Sequence, residues 1–155
     1  MKWAKCGCVL LVIAAILAIE FRVPRLDIRP MHTDEAVHAD KFRMLLEEGQ
    51  YEYDPFEYHG PTLNYLTLVP ALLDGAGTYV QVEEFHLRIV PVFFGVVLIL
   101  LLLALTDGLG WLAVGLAALF TALSPVMVFY SRYYIMEILL VAFTFGAIVS
   151  GYRYV

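Results

Sequence analysis

The chain has 155 residues, of which 61% are hydrophobic and 16% charged, and its formal net charge is −5 at pH 7. Soluble domains are usually closer to half apolar, so this composition argues against an ordinary soluble domain. The mildly acidic balance and the lack of a basic stripe exclude nucleic acid as the expected partner.

Four apolar segments predict four transmembrane helices. A helix needs roughly 20 apolar residues to cross about 30 Å of hydrocarbon, and lipid-exposed backbone must satisfy its own hydrogen bonds. The first segment follows the positive start MKWAK and could also be a secretory signal, but it lacks an A-x-A cleavage pattern. The sequence therefore predicts an all-α integral membrane protein, a single module over residues 1–155, with spans at about 3–21, 88–105, 110–129 and 133–152.

A long polar interval, residues 22–87, separates the first two spans and is predicted to hold two amphipathic juxtamembrane helices. One covers about 34–48, with Thr33 as its N-cap and Gly49 as its stop. The other covers about 62–73 and is too short to span, so we expect it to be re-entrant or interfacial. By parity, the interval and the later loop YSRYY then lie on the same membrane face.

The lysines before the first span set the predicted orientation. Lys2 and Lys5 favour a cytoplasmic amino terminus, because the first helix usually dominates topology. The interval 22–87 is then an external loop of a multi-pass protein of the cell (plasma) membrane, although several of its arginines also lie outside.

Two adjacent carboxylates, Asp34 and Glu35, open the first juxtamembrane helix. A carboxylate beside the bilayer can act as a general base toward an attacking hydroxyl or amide. The positive end of the helix dipole favours its ionised form. The alternative is that both residues only cap the helix, where acidic residues are common.

The segment SPVMVFYSRYYIMEILL places further charge near the last predicted span. With Ser131 as its N-cap, Arg132 would sit at a helix N-terminus, which is a good phosphate site. Glu137 would lie at membrane depth, where an acidic residue is costly unless it is paired or faces a cavity. Snorkelling is the alternative for Arg132, and an ion pair with Arg132 or Arg88 is the alternative for Glu137. Tyr133 belongs to a group of tyrosines that an interfacial aromatic belt explains, or that could in part stack on a sugar.

The histidines are weaker candidates for metal binding. His32, Asp34 and His38, with His59 as a further donor, offer ligands that zinc accepts. Their spacing matches no established metal motif, so hydrogen-bonded or solvated histidines are the better explanation. The sequence requires no cofactor and leaves only a divalent metal open.

Three segments in this order resemble the amino-terminal part of GT-C superfamily membrane glycosyltransferases. These include protein O-mannosyltransferases (glycosyltransferase family 39-like), lipid A aminoarabinose transferases and a prokaryotic branch with archaeal proteins linked to N-glycosylation and lipid-linked sugar flipping. One family position differs, since a Pro-Pro pair is here Gly60-Pro61. The resembling segments are Asp34-Glu35-Ala36, the stretch HGPTLNYL from His59 to Leu66, and Ser131-Arg132 followed by Glu137.

The resemblance implies a transferase that uses a sugar on a polyprenyl or dolichyl phosphate and acts on the external face with inversion. Asp34 would be the catalytic base and Glu35 would support it. The implied substrate-binding residues are Arg132 at the donor phosphate, Glu137, His59 and Tyr133. A non-catalytic protein that binds a lipid-linked sugar and assists flipping or glycan assembly is the alternative.

The resemblance also implies an incomplete fold, because such proteins carry more transmembrane helices than the four predicted here. We therefore expect a truncated GT-C-like module, an amino-terminal fragment that is inactive alone or that works with a partner chain supplying the missing helices. The lipid bilayer is the other expected partner.

Overall fold

The computed structural model describes residues 2–56 and 59–154. This part of the chain is 77% helical and contains no strand, which confirms the predicted all-α class. The α-helices are α1 (Lys2–Arg22), α2 (Thr33–Glu48), α3 (Thr62–Leu73), α4 (Glu84–Leu101), α5 (Thr106–Leu109), α6 (Trp111–Leu123), α7 (Pro125–Ser131) and α8 (Glu137–Tyr154). Short 3₁₀ helices cover Tyr79–Gln81 and Leu102–Leu105.

Two helical stretches are long and apolar enough to cross a membrane, Trp3–Arg22 and Glu84–Leu109. A third crossing exists if the bent pair α6 and α7 counts as one span. By length and composition, two or three stretches of the described residues could therefore cross a membrane, which is consistent with membrane association, and the four predicted spans are not confirmed. At 12 residues, α3 is a shorter apolar helix, as expected.

The predicted helix over 110–129 is broken. Helices α6 and α7 meet at an angle of 63°. Ser124 leaves the helical conformation and its hydroxyl accepts from the Met127 N–H, while Pro125 occupies the first position of α7. Proline lacks the N–H that a continuous helix needs there and suits the first turn of a new helix. The turn predicted at 106–108 is also displaced, since the chain stays helical to Leu109 and turns at Gly110, where φ is +80°.

The last predicted helix also begins later than expected. The segment 132–136 is not helical, and α8 begins at Glu137 rather than near residue 133. Ser131 is the last residue of α7 and not the cap of α8. The predicted placement of Arg132 at a helix N-terminus is therefore wrong, because Arg132 follows the C-terminus of α7.

Small residues let α1 and α6 pack closely. Ala14, Ala18, Ala118 and Ala122 are fully buried between the two helices and their neighbours. Small side chains bring helix backbones together in the bilayer, where van der Waals packing drives association. On the other side of α4, a second core holds α2 and α3 and includes Phe42, Leu63, Leu87 and Ile138. Helix α4 thus contributes residues to both cores.

Candidate functional site

Glu35 is the centre of the polar contacts in the first turn of α2. Its side chain is fully buried. One carboxylate oxygen, Oε1, accepts from Arg88 Nε at 2.9 Å and from the Tyr134 N–H at 2.9 Å. The other, Oε2, accepts from Arg29 at 2.8 Å, from Arg88 at 3.1 Å and from the His32 N–H at 3.1 Å. A buried carboxylate is stable only when paired and hydrogen-bonded in this way.

These contacts keep Glu35 ionised. Burial alone would raise the pKa of Glu35, but the hydrogen bonds from Arg88, Tyr134 and His32, with the charge of Arg88, lower it below its usual value. Glu35 therefore holds other groups in place, and its lone pairs are already engaged. Glu35 thereby fixes the first turn of α2, in which Asp34 also lies.

Arg88 completes this ion pair from the first turns of α4 and is 1% exposed. Besides Glu35, it donates to the carbonyl oxygens of Leu26 and Arg29. The guanidinium thereby fixes the segment between α1 and α2 against α4. Bidentate pairing of arginine with a carboxylate gives geometric precision as well as energy.

Asp34 lies next to Glu35 but faces solvent, with its side chain 68% exposed. The N-cap of α2 is His32 rather than the predicted Thr33, and His32 Nδ1 accepts from the Asp34 N–H at 3.3 Å. An imidazole acceptor replaces the expected hydroxyl because the chain enters the helix one residue earlier. His32 Nδ1 also lies 3.4 Å from Asp34 Oδ2. The carboxylate is thus accessible to a ligand at the helix N-terminus.

Tyr133 is buried, at 5% exposure, and packs against Arg29 and His32, which with Asp34 form a polar surface. Its ring centroid is 4.7 Å from the Arg29 guanidinium carbon and 5.6 Å from the His32 ring. Burial and the negative charges of Asp34, Glu35 and Glu137 raise the pKa of Tyr133, and the charge of Arg29 opposes that shift. The predicted residues Asp34, Tyr133 and Glu137 therefore lie close enough to influence one another.

Arg29 is the residue of this surface that sequence reasoning did not select. Its guanidinium joins Glu35 at 2.8 Å, stacks over Tyr133 and lies 5.6 Å from the Phe129 ring centroid. It remains 38% exposed, so the cation is held rigidly but is still open to solvent. Arg29 lies in a polar loop next to a proline, and no pattern in that stretch of sequence indicated a functional role.

Arg132 lies beside this surface but uses two of its nitrogens on main-chain carbonyls. Nη1 donates to Phe21 at 2.9 Å and Nη2 to Arg25 at 3.1 Å. Burial and the positive charges of Arg29 and Arg88 lower the pKa of Arg132. Arg132 therefore ties the end of α7 to the end of α1 while adding positive charge near Arg29.

Glu137 is the exposed first residue of α8. The predicted buried ion pair with Arg88 does not form, because Arg88 pairs with Glu35. An acidic side chain in the first turn of a helix is stabilised by the helix dipole. The helix N-terminus therefore accounts for a charged side chain at position 137, and the residue need not lie at membrane depth.

His59 belongs to a different polar cluster. His38 is buried, and the ring centroids of His38 and His59 are 4.4 Å apart. His38 also meets the ring of Tyr134, whose hydroxyl donates to Asn64 Oδ1 at 3.0 Å. The structure thus separates His59 from the surface around Tyr133. In residues 2–56 and 59–154, no group of three or more His, Cys, Asp or Glu side chains is placed to hold a metal ion.

A wholly buried arginine, Arg22, stabilises the helix ends next to this surface. Arg22, at the end of α1, donates to Ser131 Oγ at 3.2 Å and to the carbonyl oxygens of Ala122 at 3.0 Å and Thr121 at 3.1 Å. These carbonyls end α6, where the negative end of the helix dipole compensates a cation. Arg22 thereby joins the end of α6 to the end of α7 and stabilises the bend between the two helices.

Comparison with protein-family models, with curated proteins and with solved structures finds no match for this chain.

Proposed function

We propose that the chain is, or belongs to, a membrane glycosyltransferase that moves a sugar from a polyprenyl or dolichyl phosphate to an acceptor. The observation that supports this most is that the buried Glu35 holds the Arg29 guanidinium, which stacks over Tyr133 and is 38% exposed, while the preceding residue, Asp34, carries a carboxylate that is 68% exposed. A base and a cation on one surface are what transfer from a phosphate leaving group needs.

In the proposed reaction Asp34 accepts the proton of the acceptor hydroxyl. The acceptor oxygen forms a bond to the anomeric carbon from the side opposite the phosphate, while the bond from that carbon to the phosphate oxygen breaks. The electron pair leaves with the lipid phosphate, whose added charge Arg29 and Arg132 stabilise. Asp34 then releases its proton to solvent, and the sugar has inverted at its anomeric carbon.

The membrane arrangement is part of the same proposal. Helix α8 has 18 residues and is therefore about 27 Å long, close to the hydrocarbon thickness. With α8 and the bent pair α6–α7 as spans, the chain crosses four times, and residues 23–83 and 132–136 share the external face of the plasma membrane. Further helices from a partner chain would complete the groove for the lipid donor.

The test is sugar transfer from a labelled polyprenyl-phosphate sugar in membranes of a host without background transfer. We compare wild type, Asp34→Asn and the control Asp27→Asn, since Asp27 is an exposed carboxylate in the same external segment. Loss of a general base typically costs about 10² to 10⁴ in rate. We expect that loss for Asp34→Asn and wild-type transfer for Asp27→Asn.

Equal transfer by wild type and Asp34→Asn would remove Asp34 as the base. If no variant transfers sugar but wild type and Asp34→Asn both bind the donor lipid, the chain is a non-catalytic binding protein. Arg29→Gln distinguishes donor binding from proton transfer. This variant should weaken donor binding, whereas Asp34→Asn should leave donor binding intact.

A further inference from the structure

A second open surface lies along the outer face of α2, away from Tyr133. It is a groove of about 840 Å³ between α2 and the segment that follows Gln50. Its helix wall runs from Thr33 to Met44, which corresponds to about 16 Å of helix. An extended chain of about five residues has this length.

The charge of the groove is negative. Three carboxylates line it, from Asp40, Glu52 and Asp54, against the single ammonium of Lys41. Lys41 is 8% exposed and Asp40 is paired with Arg43 at 3.0 Å. In the part of the chain that the structure describes, no cation lies within ion-pair distance of Glu52 or Asp54.

Apolar side chains cover the rest of the lining. Tyr53 is 56% exposed and Phe56 is 84% exposed, which is unusual for rings of this size beside a helix groove. Val37 on the opposite wall is also exposed. Aromatic faces beside carboxylates favour a cation that carries an aliphatic stem, because the ring attracts the charge and covers the methylenes.

We propose that this groove binds a basic, extended segment of polypeptide. An anionic lipid headgroup is disfavoured by the like charge of the lining. A divalent ion is disfavoured because no three ligating side chains of the described residues converge here. Lysine or arginine side chains spaced along an extended chain match both the charge and the length.

The groove also leads toward the proposed catalytic surface. The helix wall begins at Thr33, in the first turn of α2 and next to Asp34 in the chain. A segment bound along this wall would reach the N-terminus of α2. The proposal itself concerns binding and stands without the transferase.

The experiment measures binding to the full chain in lipid nanodiscs by fluorescence anisotropy. The probe is a short labelled peptide in which lysine and serine alternate, and the matched probe carries glutamate in place of lysine. The variant Glu52→Gln/Asp54→Asn removes two groove charges. Its control Asp27→Asn/Glu48→Gln removes two exposed charges outside the groove.

We expect the lysine peptide to bind and the groove variant to weaken it by about fivefold to tenfold, as two exposed charge pairs allow. The control variant should bind within about twofold of wild type, and salt should weaken binding. Equal affinity of groove variant and control, or equal binding of the glutamate peptide, would overturn the proposal. The peptide-binding measurement needs no sugar donor, so its result is independent of whether sugar transfer is found.

Discussion

The main-chain N–H of Tyr134 donates to Glu35 Oε1 across 2.9 Å, although the two residues are 99 positions apart in the chain. This contact fixes the non-helical segment between α7 and α8 to the first turn of α2. Tyr133 is consequently held against Arg29 and His32, while the next residue, Tyr134, faces the cluster of His38 and Asn64.

Replacing Glu35 by Gln should strongly destabilise the protein. The variant leaves the buried guanidinium of Arg88 without its counter-charge, and breaking a buried pair costs about 3–5 kcal/mol. Unfolding in mixed detergent micelles measures the free energy. Glu48→Gln, an exposed carboxylate on the same helix, should stay within about 0.5 kcal/mol of wild type. A small effect for both variants would show that Arg88 is compensated by its carbonyl contacts alone.

The same residue predicts a pH dependence. The folded-state pKa of Glu35 lies below its usual value of 4.5, so the unfolded state binds its proton at the higher pH. The stabilisation by Glu35 is therefore complete above about pH 4.5 and is lost as the pH falls through the lower folded-state pKa. The difference in unfolding free energy between wild type and Glu35→Gln should shrink in acid. A difference that is constant with pH would contradict this.

Gly95 on α4 should not tolerate a methyl group. A Cβ there would lie 2.3 Å from Ser131 Oγ and 2.7 Å from Ser131 Cβ, and 3.3 Å from Arg22 Nε. Gly95→Ala is expected to cost about 1–3 kcal/mol through overpacking, and adding Ser131→Gly should restore part of it. The control is Gly151→Ala in α8, where a Cβ meets open space. Equal unfolding midpoints for the two alanine variants would contradict the close approach.

The hydroxyl of Tyr134 should contribute to stability through two buried contacts. It donates to Asn64 Oδ1 and lies 3.0 Å from Thr67 Oγ1, so Tyr134→Phe leaves the buried Asn64 Oδ1 without this donor, while Thr67 keeps its bond to the Leu63 carbonyl oxygen. The expected loss is about 1–2 kcal/mol. Tyr154→Phe, at a ring that is 94% exposed, should leave the unfolding free energy unchanged.

Topology can be read by labelling single cysteines with a membrane-impermeant reagent, after Cys6 and Cys8 are replaced by Ala. Cysteines at positions 27 and 137 should react from the same side, because Arg29 and Tyr133 are in contact. A cysteine at position 107 should react from the opposite side, because this position lies near the far end of the candidate span Glu84–Leu109. Reaction of positions 27 and 137 from opposite sides would refute the shared surface.

Sequence patterns located the local elements well. A helix lies over the predicted 34–48 segment, ends at Gly49 with φ of +70°, and α3 coincides with the predicted 62–73 helix. Sequence patterns did not predict the parts of the structure that depend on contacts between residues far apart in the chain. The loop before α8 is held by Glu35 and Arg29, which no hydropathy pattern near residue 133 encodes. His59 opens the segment HGPTLNYL, and no pattern in that segment predicts that its ring packs against His38.

The close packing of α1 against α6 has a consequence for how the protein is made. A Cβ on Gly7 would overlap the main chain of Trp111, and one on Gly115 would lie 2.7 Å from the Gly7 carbonyl oxygen. Because α1 is synthesised before α6, α6 cannot cover the glycine and alanine face of α1 until the second half of the chain has been made, and assembly of this helix pair must wait for it.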